Sequence, residues 1–206
     1  MDNKLLVATS NPGKIREIRE LLAPVGCELV FLSDFPNPIP EPEETGDSFL
    51  ANAQLKARYY AQLSGLPTSA DDSGLSVLAL DGFPGVTSAR WVAGTDEDRV
   101  SALLELMTAR GLTEPLQRRA YFSCVISLFT PGEKQLKNFE GICWGTLSHV
   151  PLGENGFGYD PIFVVDGQTA SNAQLPPAIK NSLSARAIAM QQLAKFLLER
   201  EPINHS

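Results

Sequence analysis

The stretch Leu66-Pro67-Thr68-Ser69-Ala70-Asp71-Asp72-Ser73-Gly74 decides how this chain is read. Residues 66–70 have the composition of a short buried strand, and two adjacent carboxylates follow at its end. Neighbouring side chains of a strand point to opposite faces, so tandem acids serve one site only where the backbone turns between them. Ser73-Gly74 is expected to supply that turn. A carboxylate at a strand end can hold a hard cation such as Mg2+ and orient a water beside it. The plain alternative is a solvated Asp-Asp turn or a helix cap, and the motifs on either side favour the metal reading.

Upstream, Leu5-Leu6-Val7-Ala8 is a continuous apolar run, as expected of a parallel strand covered on both faces. Thr9-Ser10-Asn11-Pro12-Gly13-Lys14 follows at once. Asn11 suits an N-cap, Pro12 the first helical position, and Ile15, Ile18 and Leu22 continue at helical spacing. A strand, a tight polar turn and a helix N-terminus form an anion site, with free N–H groups and the positive dipole end facing outward. Lys14 adds a full charge where a cation opposes the helix dipole, which points to phosphate. The spacing is not that of a Walker A loop. Residues 28–32 read as a second strand, followed by a proline-rich loop and the acids Glu41, Glu43 and Glu44. Such acids are most often solvated; the sharper reading has one of them reach a metal. A helix from Asp47 to about Gly65, capped by Ser48, presents Phe49, Ala53, Ala57, Tyr60 and Ala61 as an apolar stripe. Asn52 and Lys56 lie four apart on a second face.

Downstream, a helix is expected from about Thr95 to Arg110, ended by Gly111. Residues 120–128 and 138–144 read as strands joined by the turn signal Thr130-Pro131-Gly132-Glu133, which predicts a hairpin on an otherwise α/β frame. His149 has no partner motif and reads as a loop residue. Gly156-Phe157-Gly158-Tyr159-Asp160-Pro161 combines glycines, which let backbone approach a ligand, with rings that can stack on a nucleobase. The alternative tucks those aromatics into the core. Pro177 to Glu199 is expected as one long helix, with Lys180, Ser184 and Arg186 as polar groups in its first turns. Basic residues there oppose the dipole unless they face an anion.

The 206 residues suffice for one large domain or two closely joined lobes, with no internal repeat or linker. A net charge of -7 gives no sign of a general grip on nucleic acid, which wants a basic face. Three widely spaced cysteines without a CxxC motif fit a reducing, cytoplasmic compartment. The N-terminal residues show no signal peptide, and no apolar run is long enough to span a membrane.

In their order and spacing these motifs resemble the bacterial form of the inosine triphosphate pyrophosphatase family. The anchors are Thr9 to Lys14, Glu43-Glu44-Thr45-Gly46, Asn52-Ala53 with Lys56-Ala57, Ala70 to Leu75, Pro84-Gly85-Val86 with Ser88-Ala89-Arg90, and Gly156 to Pro161. The resemblance implies a single domain over residues 1–206, of α/β class, with an elongated mixed sheet flanked by helices and two lobes around a central substrate cleft. It implies a homodimer and Mg2+-dependent hydrolysis of the purine nucleoside triphosphates dITP, ITP and XTP to the monophosphate and pyrophosphate, a cleansing of the nucleotide pool. Thr9, Ser10, Asn11, Pro12, Gly13 and Lys14 would bind the triphosphate, with Lys56 assisting. Glu43 (or its neighbour Glu44) and Asp72 would hold Mg2+, and Asp72 would accept the proton of the attacking water. Ser73 would contact substrate, Phe157, Gly158, Tyr159 and Asp160 would frame the base, and Lys180 and Arg186 would read its 6-oxo edge.

Two positions depart from the family pattern. Ser184-Ala185-Arg186 stands where the family has Ser-His-Arg, so Ala185 replaces a histidine expected beside the base. Ala51-Asn52-Ala53 stands where Glu-Asn-Ala is usual. The first removes a purine-edge contact and so bears on base discrimination and turnover. Two alternatives therefore stand beside the main reading: a nucleotide pyrophosphatase of other base preference, as in the related septum-inhibitor family, and a nucleotide-binding protein with impaired turnover.

Overall fold

The computed structural model describes residues 4–199, so the expectation about a leader at Met1 to Asn3 lies outside the described residues. Six strands form one mixed sheet in the order β2-β1-β3-β4-β5-β6, accompanied by five α-helices among the described residues. The described residues fall into two compact units. The first comprises residues 4–72, 124–141 and 186–199, the second 73–123 and 142–185.

In the first unit, β1 (Lys4–Val7) pairs in parallel with β2 (Glu28–Phe31) and with β3 (Thr68–Val77). Leu5, Leu6 and Val7 are all buried, as a strand covered on both faces requires. The helix α1 (Pro12–Leu22) returns the chain to β2. Asn11 caps it, its side chain accepting from Lys14 N at 3.1 Å, with Pro12 in the first turn. The helix α2 (Phe49–Ser64) carries the chain on to β3; Ser48 caps it, accepting from Ala51 N at 3.2 Å, and left-handed Gly65 ends it. Because β2 and β3 flank β1 on opposite sides, right-handed crossovers place α1 and α2 on opposite faces of the sheet. Ala57, Tyr60 and Ala61 of α2 accordingly pack against Leu6, Ala8, Ala70 and Phe129. The carboxyl ends of β1 and β3 thus lie at a topological switch point, where open α/β sheets bind ligands.

The turn expected at Ser73-Gly74 does not form. The strand β3 runs unbroken from Thr68 to Val77, through both carboxylates and the glycine. Leu75 and Val77 beyond it are fully buried, so the apolar residues on the far side keep the backbone extended where Ser-Gly alone would favour a bend. Asp71 and Asp72 therefore point to opposite faces.

In the second unit, α3 (Asp96–Ala109) starts with a capping box between Thr95 and Asp98 and is followed by left-handed Gly111. It buries Val100, Leu103 and Met107. Here Phe122 and Phe163 meet edge to face, with ring centroids 4.7 Å apart. Arg118 is nearly fully buried and donates to the carbonyls of Leu112, Leu147 and Ser148.

The expected hairpin is present as β4 (Arg119–Phe129) and β5 (Lys137–Leu147), sheet neighbours whose connection is too short for a parallel crossover. Glu133 N donates to Thr130 O at 3.0 Å and Gly132 has φ 90°, a turn with Pro131 pre-set at its second position. The short β6 (Phe163–Val165) adds antiparallel to β5. The single helix expected over 177–199 is two, α4 (Pro177–Leu183) and α5 (Ala185–Glu199), separated by Ser184 with an extended ψ of 152°. Serine suits the residue before a helix because its hydroxyl competes with the backbone for hydrogen bonds. Without a Gly or Pro at the break, apolar periodicity carries no sign of it.

Candidate active site

The loop Thr9–Lys14 leaves β1 and opens α1 as the sequence suggests. Thr9 is buried, and its Oγ1 accepts from Asn11 N at 3.3 Å. Ser10, Asn11 and Pro12 are exposed, while Gly13 is half-buried at the start of the helix. Ser10 Oγ donates to Glu41 Oε1 at 3.2 Å. Lys14 does not extend into solvent. Its Nζ donates to Asp71 Oδ2 at 2.8 Å, and Arg186 Nη2 reaches the same oxygen at 3.5 Å. Arg186 Nη1 is also bonded to Glu17, a buried carboxylate of α1. One face of β3 thus carries a nearly dry cluster of two acids and two bases. Burial alone would raise the Asp71 carboxyl, but Lys14, Arg186 and Lys56 outweigh it and hold the group well below the ordinary carboxylate range. Burial pulls the Arg186 guanidinium down, and Asp71 and Glu17 more than reverse this. Cys124, beside Asp71, is pushed up to about 12 by burial and that carboxylate, so its thiol stays protonated.

The opposite face of β3 holds a different arrangement. Asp72 Oδ2 accepts from Asn52 Nδ2 at 3.0 Å, and Asp72 Oδ1 lies 3.4 Å from Lys56 Nζ. The same ammonium donates to Glu44 Oε1 at 2.6 Å. Asn52 Oδ1 in turn accepts from Gly46 N at 2.8 Å, which ties the acidic loop to the helix. Of the two glutamates weighed for a metal, Glu43 is exposed and Glu44 turns toward Asp72. Burial raises Asp72 from its ordinary value; Lys56 and Asn52 pull it back, and Glu44 adds to the rise. Burial lowers Lys56, but Asp72, Asp71 and Glu44 leave it net raised and charged. Two neighbouring acids therefore differ in kind: Asp71 is a saturated counter-ion, Asp72 a basic carboxylate with room for chemistry.

Whether a divalent ion fits here is a question of donor chemistry. Among the described residues, no group of three or more His, Cys, Asp or Glu gathers into a metal cluster. Asp72 and Glu44 do converge on one cationic group. Mg2+ is commonly held by one or two carboxylates with waters and substrate phosphates completing its shell, so two oxygen donors fit that ion.

The second unit brings together the other predicted residues. Buried Asp160 is their centre: Oδ2 accepts from Phe157 N at 2.9 Å and pairs with Lys180 Nζ at 2.5 Å, and Oδ1 accepts from Asn172 Nδ2 at 3.2 Å. The Lys180 ammonium lies 4.7 Å from the Phe157 ring centroid. Gly156 and Gly158 adopt positive φ, and Gly158 N donates to Asp96 Oδ2 at 2.6 Å. Tyr159 takes the alternative place, inside the core, with its hydroxyl between Trp91 Nε1 and Ser88 O. Phe157 is the ring left half-exposed. Lys180 falls in this unit and Arg186 in the first, so the two residues paired by the sequence reading have separate partners. Buried Ala185 opens α5, and Ser73 follows Asp72, half-buried, in β3. Asn52, Glu17 and Asp71 were absent from the expected site; their signals were Asn52 four before Lys56 and Glu17 three after Lys14, both one helical turn.

The chain is similar to known proteins over most of its length. The chain is 46% identical over 193 residues to a dITP/XTP pyrophosphatase of Zymomonas mobilis, covering 92% of this chain and 90% of that protein. It is 47% identical over 202 residues to a dITP/XTP pyrophosphatase of Symbiobacterium thermophilum, covering 97% and 95%. The solved HAM1 protein of Coxiella burnetii superposes with a TM-score of 0.86 at 38% identity, over 96% of this chain and 99% of that one. A nucleoside-triphosphatase / dITP/XTP pyrophosphatase of Mycobacterium abscessus superposes with a TM-score of 0.73 at 41% identity, over 92% and 98%. With the sequence pattern of the Ham1 family matched from residue 5 to residue 196, on a sheet that carries the Thr9–Lys14 loop and the two acids as described, this chain belongs to the Ham1 family.

Proposed function

We propose that this chain hydrolyses dITP, ITP and XTP to the nucleoside monophosphate and pyrophosphate, with Mg2+ as cofactor. The observation that carries the reading is the convergence of Asp72 and Glu44 on Lys56, on the sheet whose β1 ends in the Thr9–Lys14 loop. Relatives 46% and 47% identical, matched over 90% and 95% of their own length, bear the name dITP/XTP pyrophosphatase.

Each residue then has a physical task. Thr9, Ser10, Asn11, Pro12, Gly13 and Lys14 receive the phosphate tail, using the positive dipole end of α1 and the Lys14 ammonium. Lys14 shares its charge between Asp71 and phosphate, and Arg186 keeps Asp71 in place as Lys14 is drawn away. Asp72 and Glu44 (with Glu43 as the exposed neighbour) would hold Mg2+, which when bound withdraws charge from the phosphates. Asp72 accepts the proton of the attacking water, a role its raised basicity suits, as the bond between the α- and β-phosphates breaks. Lys56 neutralises charge released on the leaving pyrophosphate. Ser73, the residue after Asp72 in β3, contacts substrate. Phe157 offers its ring to the base, Gly158, Tyr159 and Asp160 shape the loop beneath it, and Lys180 reads the 6-oxo edge that deaminated purines share. Ala185 leaves a purine-edge contact unfilled where the family has histidine.

The resemblance further assigns a homodimer, to be checked by light scattering, and the cysteine pattern supports a cytoplasmic location. The three cysteines are free, and no helix among the described residues is long and apolar enough to cross a membrane.

Pyrophosphate release measured with ITP, dITP, XTP, GTP and dTTP, with and without Mg2+, tests the reading. Preference for the deaminated purines, abolished by chelation, is expected. Preference for dTTP moves the protein to the septum-inhibitor reading, and tight ITP binding without product to that of a binding protein.

A further inference from the structure

Asn52 is fully buried, and its amide touches two functional segments at once. Its Oδ1 accepts from Gly46 N at 2.8 Å and its Nδ2 donates to Asp72 Oδ2 at 3.0 Å. A backbone N–H can only donate, so Gly46 fixes which end of the amide carries the oxygen. The nitrogen must then face Asp72, and Oδ2 of that carboxylate is occupied as an acceptor. Oδ1 accepts from Lys56 Nζ at 3.4 Å, so the two partners together fix the plane of the carboxylate. Gly46 is itself constrained: a Cβ there would stand 2.5 Å from Asn52 Oδ1 and 2.8 Å from Ala51 Cβ. Glu44, the acid that meets Lys56, lies two residues before this glycine.

We propose that Asn52 is a positioning residue that locks the Glu44–Gly46 segment to Asp72 and fixes the orientation of the Asp72 carboxylate. The inference rests on the pyrophosphatase reading for its kinetic test but not for its structural one. A carboxylate free to rotate offers either oxygen to the water, and a loosened acidic loop moves Glu44 with it. A misplacement of about 1 Å at such a site lowers turnover by about 100-fold.

The kinetic test is a double-mutant cycle on pyrophosphate release from ITP. Asn52→Ala and Gly46→Ala, which break the same bridge from its two ends, should each lower kcat by about 100-fold, with KM within about threefold because the Thr9–Lys14 loop is untouched. The double variant should be no slower than the worse single one. Ser48→Ala removes the cap of the same helix without touching the bridge, so it should lower the melting temperature and leave kcat within about twofold. Multiplying effects in the double variant would overturn the proposal, as would a Ser48→Ala loss of kcat equal to that of Asn52→Ala. The second readout needs no turnover: in Asn52→Ala the Gly46 amide should exchange its hydrogen at least about tenfold faster, with amides in the middle of α2 unchanged. Unchanged Gly46 exchange would sink the bridge even in an active enzyme. Absent pyrophosphate release by the parent, with Gly46 exchange accelerated as expected, would count against the pyrophosphatase reading and spare the bridge.

Discussion

Two aspartates adjacent in sequence have opposite electrostatic fates because a strand sends their side chains to opposite faces. Asp71 is neutralised by Lys14 and Arg186, whereas Asp72 is left basic between Asn52, Lys56 and Glu44. Replacing Asp72 by Asn removes the proton acceptor at constant volume. It should cut pyrophosphate release by at least about 100-fold while thermal melting moves by a few degrees at most. Replacing Asp71 by Asn takes from Lys14 its carboxylate partner and from Arg186 one of its carboxylate partners, Glu17 remaining, and should destabilise the fold by about 3 kcal/mol in urea titrations. The acid dependence follows from the depressed Asp71 value. Its stabilisation is complete above the ordinary carboxylate range, about pH 4, and is lost as pH falls through the folded value. The parent should therefore lose stability with a steeper slope below about pH 4 than Asp71→Asn does.

At the scale of elements, loops are held in place by single side chains from packed neighbours. The loop between β5 and β6 is arranged around Asp160, which collects Phe157 N, Asn172 and Lys180. Gly156 has φ 82°, and a Cβ there would collide with the Asp160 carboxylate. Gly156→Ala should therefore displace Phe157 and Lys180 together, weakening ITP binding about tenfold or more by calorimetry. The helices α4 and α5 show the converse. Buried polar partners at Lys180 and at Arg186 lie in different units, and the chain gives up helix at Ser184 between them.

For the whole molecule, the described residues supply oxygen donors for a divalent ion but no cluster able to hold one unaided. Chelation should then stop hydrolysis and leave the circular-dichroism melting curve of the nucleotide-free protein unchanged, since an ion completed by substrate phosphates adds nothing to the empty fold. A lower melting temperature on adding EDTA would show a metal built into the structure instead.

Much of this protein is set locally and can be read from the chain. Apolar runs marked β1 and its covered faces, Asn11 and Ser48 marked helix starts, Pro131-Gly132 marked the hairpin, and the ordered motifs marked the family. These features depend on the chemistry of a few consecutive residues. Tertiary structure alone decided that Ser73-Gly74 stays extended, that residues 177–199 form two helices, that Tyr159 turns inward, and that Arg186 serves Asp71. In each case a local preference worth about 1 kcal/mol yields to burial or ion pairing with residues far away in sequence. Such partners become neighbours only once the sheet has formed.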